Sequence, residues 1–163
     1  MAKYSLGWRT VTATAVANTT NMTDSGYPTF LQGGGSTQRL VVSEVYIGGE
    51  DTASLPATLV LARDSTVAAT GISGNTNALL DGSGTAPATI AIFGNVSTTK
   101  PQRSATLALL GLSLNTFGGI VRWVAAPGSE IAVVGNTQPL GEISLSSVTG
   151  AAKTSGHIIY EVV

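Results

Sequence analysis

The chain has 163 residues, eight basic and nine acidic, for a formal net charge of −1; it is long enough for one hydrophobic core and lacks the positive field that gathers nucleic acid. Only 10% of the residues are charged, so the surface is mostly neutral and polar and gives little colloidal repulsion, which favours life inside an assembly. The absence of cysteine removes disulfides, thiolate metal sites and thiol nucleophiles.

Period-two patterning begins at once. Tyr4, Leu6 and Trp8 alternate with Ser5, Gly7 and Arg9, and Thr12 and Thr14 carry the alternation on to Val16, which predicts a strand with two differently dressed faces. Residues 17–36 are rich in Asn, Thr, Gly and Pro and end in Gly33-Gly34-Gly35, with Tyr27, Phe30 and Leu31 inside. This segment reads as an ordered arm or long loop that lays those three side chains on another surface. Met1 to Trp8 offers no apolar stretch ending in a small-residue cleavage site, so no cleaved secretory signal is visible.

Arg39 to Ile47 predicts a strong strand closed by Gly48-Gly49 and Glu50-Asp51. Pro56 stands before a further strand over 58–62, at a position where its missing donor costs least. Residues 65–86 are dominated by small and polar types and read as an excursion loop. Strand patterning resumes over 88–96. Leu107, Leu110 and Leu114 have helical spacing, but Gly111 and the flanking Ser and Thr favour a strand over 104–114.

Strands are predicted over 119–125, with Ile120, Arg122 and Val124 opposite Val121, Trp123 and Ala125, then over 131–134, 141–147 and 157–163. In the third of these, Ile143, Leu145 and Ser147 oppose Glu142, Ser144 and Ser146. About eight to ten strands without alternating helices predict an all-β fold: a single antiparallel β-sandwich domain over 1–163, with 1–36 as strand plus extended N-terminal arm. A jelly roll is the expected arrangement, and an immunoglobulin-like sandwich fits the irregular loop lengths less well. No apolar run approaches the roughly 18 residues of a membrane helix.

Chemistry-bearing residues are scarce. His157 is the one histidine, and it reads as a strand-end side chain rather than a catalytic base. A zinc site would need carboxylates for most of its ligands, and the acidic residues are scattered apart from Glu50-Asp51. Glu130 and Glu142 have nothing local that brings them together as an acid and base pair. No Gly-x-Ser-x-Gly elbow occurs, and Gly33-Gly34-Gly35 lacks the Lys-Ser/Thr ending of a phosphate loop. No catalytic residue, metal ligand or cofactor is therefore expected. Trp8 and Trp123 are the best large anchors, for the core first and an intersubunit contact second.

Four strings, Tyr4-Ser-Leu-Gly-Trp-Arg-Thr10, Thr37-Gln-Arg-Leu-Val-Val-Ser-Glu-Val-Tyr-Ile47, Val121-Arg-Trp-Val-Ala-Ala-Pro-Gly128 and His157-Ile-Ile-Tyr-Glu-Val-Val163, give the chain a layout that resembles the small virion structural proteins of tailed bacteriophages. More narrowly, it is similar to jelly-roll head decoration, or cement, proteins. The resemblance is one of layout over most of the chain and carries no diagnostic motif.

It implies a non-enzymatic subunit on the capsid exterior that forms a homotrimer and clamps neighbouring copies of the major capsid protein, with no direct contact to nucleic acid or membrane. The capsid contact would map onto Met1 to Trp8 and the arm, which makes Tyr4, Trp8, Tyr27, Phe30, Leu31 and Trp123 the candidate interface residues. Replacing Tyr27, Phe30 and Leu31 with Ser is then expected to weaken attachment more than it lowers the melting point. The alternative is a tail or baseplate accessory protein acting as an adaptor or contacting a host glycan. An enzyme acting on surface polysaccharide ranks third, for want of an acidic pair.

Overall fold

The computed structural model describes residues 3–8, 22, 29–65, 78–80, 82, 102–135, 137, 140–149 and 151–163. They hold β1 (Lys3–Gly7), β2 (Thr29–Gln32), β3 (Arg39–Gly49), β4 (Pro56–Asp64), β5 (Ala78–Leu79), β6 (Arg103–Asn115), β7 (Ile120–Val124), β8 (Ile131–Val134), β9 (Glu142–Ser147) and β10 (Thr154–Val162), and among the described residues no helix. The strands build two antiparallel sheets. The larger has the order β5-β1-β10-β3-β7, with β8 also paired to β3, and the smaller has the order β2-β9-β4-β6.

Four of the pairings nest one inside another. β1 pairs with β10, β2 with β9, β3 with β7 and β4 with β6, so the first half of the chain meets the second half in reverse order. The two inner faces enclose a core that includes Leu6, Leu31, Leu40, Val42, Leu59, Leu61, Ile143, Leu145, Ile158 and Tyr160. Alternating side chains reach it because successive residues of a strand point to opposite faces.

Register shifts in β3 and β4 break that alternation. In β3 the inward residues are Leu40 and Val42, then Val45 and Ile47, a change of phase that period two does not allow. The register against β10 shifts between Ile159 and Tyr160, opposite Glu44 and Val42, so Ser43 is an extra residue in a bulge. At the same point β3 exchanges one neighbour for another, β8 pairing with 39–42 and β7 with 44–48. A second shift, between Leu61 and Ala62 of β4, passes over Leu109 in β6.

Several expectations take definite form. Residues 103–115 are a strand, and the helical spacing of their leucines has no counterpart in the backbone. Pro56 opens β4. Residues 78–79 of the excursion loop form β5 against Tyr4 and Ser5. The expectation of an arm over 17–36 is corrected where it can be read: Thr29–Gln32 is a strand of the smaller sheet, paired to β9, and Leu31 is fully buried in the core. Met22 is buried too, its N–H donating to Ala152 O (2.8 Å) and its carbonyl accepting from Ser147 N (2.9 Å). The strands expected over 10–16 and 88–96 lie outside the described residues.

Candidate contact surface

Five of the six residues expected at an interface are among the described residues. Tyr4 is buried and stacks on Tyr160 at a ring separation of 5.5 Å. Trp8 is buried, and its indole Nε1–H donates to Thr154 O (3.1 Å). Leu31 is 0% exposed. A contact role for these three is therefore corrected, since their area is already buried between the sheets. Trp123 is half-buried on the inward side of β7 and packs against the core. Phe30 stands in β2 opposite Ser144, and Tyr27 lies outside the described residues.

The apolar groups left outside lie elsewhere, and the best organised lie at one end of the sandwich. There the β3–β4 connection crosses from the larger sheet to the smaller, and the β6–β7 connection crosses back. The two connections are laced together by backbone. Gly49 N donates to Gly119 O (2.9 Å), Asp51 N to Thr116 O (2.8 Å) and Thr116 N to Leu55 O (2.9 Å). Asn115 completes the lacing: its Oδ1 accepts from Leu55 N (3.1 Å) and Phe117 N (3.0 Å), and its Nδ2 donates to Ser54 Oγ (2.8 Å).

The approach is close enough that a Cβ on Gly49 would overlap the Thr116 backbone, and one on Gly119 would overlap that of Asn115. Gly118 turns the chain at φ 73°, a region that L side chains rarely occupy. The product is a stiff tip that presents Phe117, 59% exposed, beside Leu55 and the 64% exposed Ile120. Residues 52–58 and 113–120 contain no charged side chain. Sequence reasoning passed over Phe117, although an aromatic between Asn115 and Gly118-Gly119 has no strand alternation to turn it inward.

Beside this end, an open groove of about 370 Å³ is lined by Pro56, Ala57, Thr58, Ser113, Leu114 and Thr149. Its hydroxyls already have partners. Thr58 Oγ1 and Ser113 Oγ share a hydrogen bond (3.0 Å), and Thr149 Oγ1 accepts from Thr58 N (2.9 Å).

The outer face of the larger sheet carries the main charged cluster. Arg122 donates to both Glu44 oxygens, from Nε (2.8 Å) and Nη2 (2.9 Å), and His157 Nε2 stands 3.8 Å from Glu44 Oε1. The hydrogen bond from Arg122 holds the Glu44 carboxyl below the usual carboxylate range, and the same contact raises Arg122. His157 lies within β10, three residues past its start, and its ring stacks on Tyr46 at 5.2 Å with planes 12° apart. Each ring gives one face to the other, so the two do not form the coplanar platform on which a sugar would lie.

On the smaller sheet, β9 is buried on both sides. Its polar face holds Glu142, Ser144 and Ser146. Ser144 Oγ donates to Asp64 Oδ1 through a very short hydrogen bond, and Arg103 Nη1 donates to Ser146 Oγ (2.7 Å). Glu142 is buried within this sheet, whereas Glu130 is exposed ahead of β8. Among the described residues no group of three His, Cys, Asp or Glu could hold a metal ion, and no helix is long and apolar enough to cross a membrane.

These features define an all-β chain of two packed antiparallel sheets with an apolar, backbone-laced end. Comparison with protein-family models, with curated protein sequences and with solved structures finds no match.

Proposed function

We propose that this protein is a non-enzymatic virion structural protein, a decoration or cement subunit on the exterior of a phage capsid. In this reading it self-associates as a homotrimer and stabilises contacts between major capsid protein subunits. The single observation that carries the reading is the laced end, where Phe117, Leu55 and Ile120 are exposed on a backbone too stiff to fold them away. An exposed aromatic on a preorganised loop binds a protein surface with little ordering cost. Several such contacts made at once hold far longer than one.

Two further features support it. The reverse-order pairing of β1 to β10, β2 to β9, β3 to β7 and β4 to β6 is what rolling one long hairpin into a jelly roll produces, with β5 and β8 as additions. The low charge suits a surface made for neutral contacts rather than for steering ions. The layout resemblance to phage head decoration proteins points the same way.

The test mixes purified protein with phage shells that lack it and follows both by sedimentation and gel densitometry. Saturation at a fixed number of copies per shell is the expected result. Recovery of all the protein in the soluble fraction, or binding to tails alone, would overturn the capsid reading, the latter in favour of a tail or baseplate adaptor.

A further inference from the structure

We propose that the end of the sandwich around β8 is a recognition surface for an acidic segment of a partner protein, a carboxylate of that segment seating on the Arg63 guanidinium beside the exposed Val134 and Leu140 side chains. This surface lies at the other end of β3 from the laced tip. The proposal goes beyond the capsid reading and stands without it.

The argument begins with charge. Arg63 stands near the end of β4, and its fork reaches from the smaller sheet to the larger: Nη2 donates to Ala132 O of β8 (2.9 Å) and Nη1 to Leu140 O (3.3 Å). Both acceptors are neutral carbonyls, and these contacts use two of the five N–H donors of a guanidinium. Among the described residues, Lys3, Arg122 and Lys153 each stand beside a carboxylate, whereas Arg63 meets none. The side chain is partly buried, and this burial holds the guanidinium below its ordinary range. An incoming carboxylate would offset that cost through charge-assisted, bidentate hydrogen bonds.

The apolar neighbours are fixed by backbone. Val134 N donates to the same Leu140 O (2.9 Å), Gly141 N to Thr137 O (2.8 Å) and Gly135 N to Gln38 O (2.8 Å). Val134 is 43% exposed and Leu140 52% exposed. Arg39 adds a second cation, standing directly opposite Val134 in the pairing of β3 with β8 and therefore on the same face. It is exposed, and among the described residues it too meets no carboxylate. Glu161, one residue before the end of β10, is taken by Lys3 at 3.3 Å. An inorganic anion would satisfy Arg63 but leave Val134 and Leu140 in water. A nucleic acid needs a row of cations along its backbone, which two arginines around an apolar centre do not supply. A peptide that carries carboxylates beside an apolar side chain complements both parts of the patch.

The test titrates the isotope-labelled protein with an end-blocked Glu-Leu-Glu-Leu-Glu peptide and follows chemical shifts by NMR. The amides of Val134 and Leu140 and the Arg63 Nε–H should shift and saturate together, and the same peptide with Gln in place of Glu should move none of them. Arg63→Gln should weaken binding at least ~tenfold, as loss of a charge-assisted pair does. Because Arg63 also ties β4 to β8, its thermal melt is read beside the parent's. Arg39→Gln, at an exposed site, gives a second reading, a weakening of about two- to fivefold with the parent's melting point. Lys153→Gln should leave the affinity unchanged. No shift at the patch, an equal response to the Gln peptide, or shifts centred on Lys3 or Lys153 would overturn the proposal. Matching shifts with inorganic phosphate at the same concentration would mark a small-anion site and overturn it as well. No shell enters the experiment, so failure here and failure of the capsid reading are distinguishable.

Discussion

Trp8 and Thr154 are joined by a hydrogen bond from the indole Nε1 to the carbonyl oxygen, 3.1 Å long and spanning 146 positions in sequence. The six-membered part of the indole lies over Gly156, where an added Cβ would overlap both Trp8 and the Tyr46 carbonyl. Gly156→Ala must therefore displace a backbone as well as a ring, and it should cost about 1–3 kcal/mol or more. Trp8→Phe loses the indole donor to the Thr154 carbonyl together with part of the buried ring, costing about 2 kcal/mol. Urea titrations check both, and a Gly156→Ala midpoint equal to the parent's would show that the ring has room to move.

Tyr160 is fully buried, and among the described residues its hydroxyl has no hydrogen-bond partner. Tyr160→Phe removes a desolvated polar atom without removing the ring stacked on Tyr4, so stability near neutral pH should be unchanged or higher. Burial raises the Tyr160 phenol above its ordinary value of 10.0. The folded state keeps this proton while the unfolded state releases it, so the residue's contribution is level below about pH 10 and falls as pH rises beyond it. The phenylalanine variant should lack this part of the alkaline loss, which denaturant titrations of both proteins from neutral to alkaline pH would measure.

Glu44 titrates below its ordinary value of 4.5 because Arg122 donates to it twice. A depressed carboxyl stabilises the fold above the unfolded pKa and loses that contribution as pH falls through the folded one. Glu44→Gln should flatten the acid limb of the stability profile below that ordinary value. The change at neutral pH should be small and shrink with added salt, since Arg122 is exposed. An acid limb identical in parent and variant would place the titrating group elsewhere.

Leu31→Ala should cost about 2–5 kcal/mol because it opens a cavity beneath β2. Leu31→Ser should accordingly lower the melting point, which reverses the expectation drawn from an arm. A variant that melts with the parent would return Leu31 to the surface.

Asn115→Ala removes the acceptor shared by Leu55 N and Phe117 N. A loss of about 1–2 kcal/mol is expected, together with faster amide exchange at those two residues. Unchanged exchange would mean that the backbone lacing alone holds the tip.

The sandwich was legible because a strand pointing alternate residues inward writes period two into sequence, as in Tyr4-Leu6-Trp8 and Ile143-Leu145. The bulge at Ser43 was not, because the extra residue is defined by Ile159 and Tyr160 of a strand more than a hundred residues away. Thr29–Gln32 read as an arm because its short apolar run is bracketed by Pro28 and Gly33-Gly34-Gly35, and only the partner β9 makes it a strand. Burial of Ser144 and Ser146 was hidden for a similar reason. Small hydroxyl residues look solvent-facing until Asp64 and Arg103 arrive from β4 and β6. The tip was missed because its stiffness arises between two loops and belongs to neither alone.

The pairing of β1 with β10 has a kinetic consequence. Tyr4 meets Tyr160, so closing the larger sheet brings together segments separated by nearly the whole polypeptide, a search whose entropy is lost before any contact repays it. Such non-local β topologies fold on the scale of about milliseconds to seconds. Until β10 docks between β1 and β3, both strands display bare edges in a molecule with few charges to hold strangers off, and refolding yield should fall as protein concentration rises.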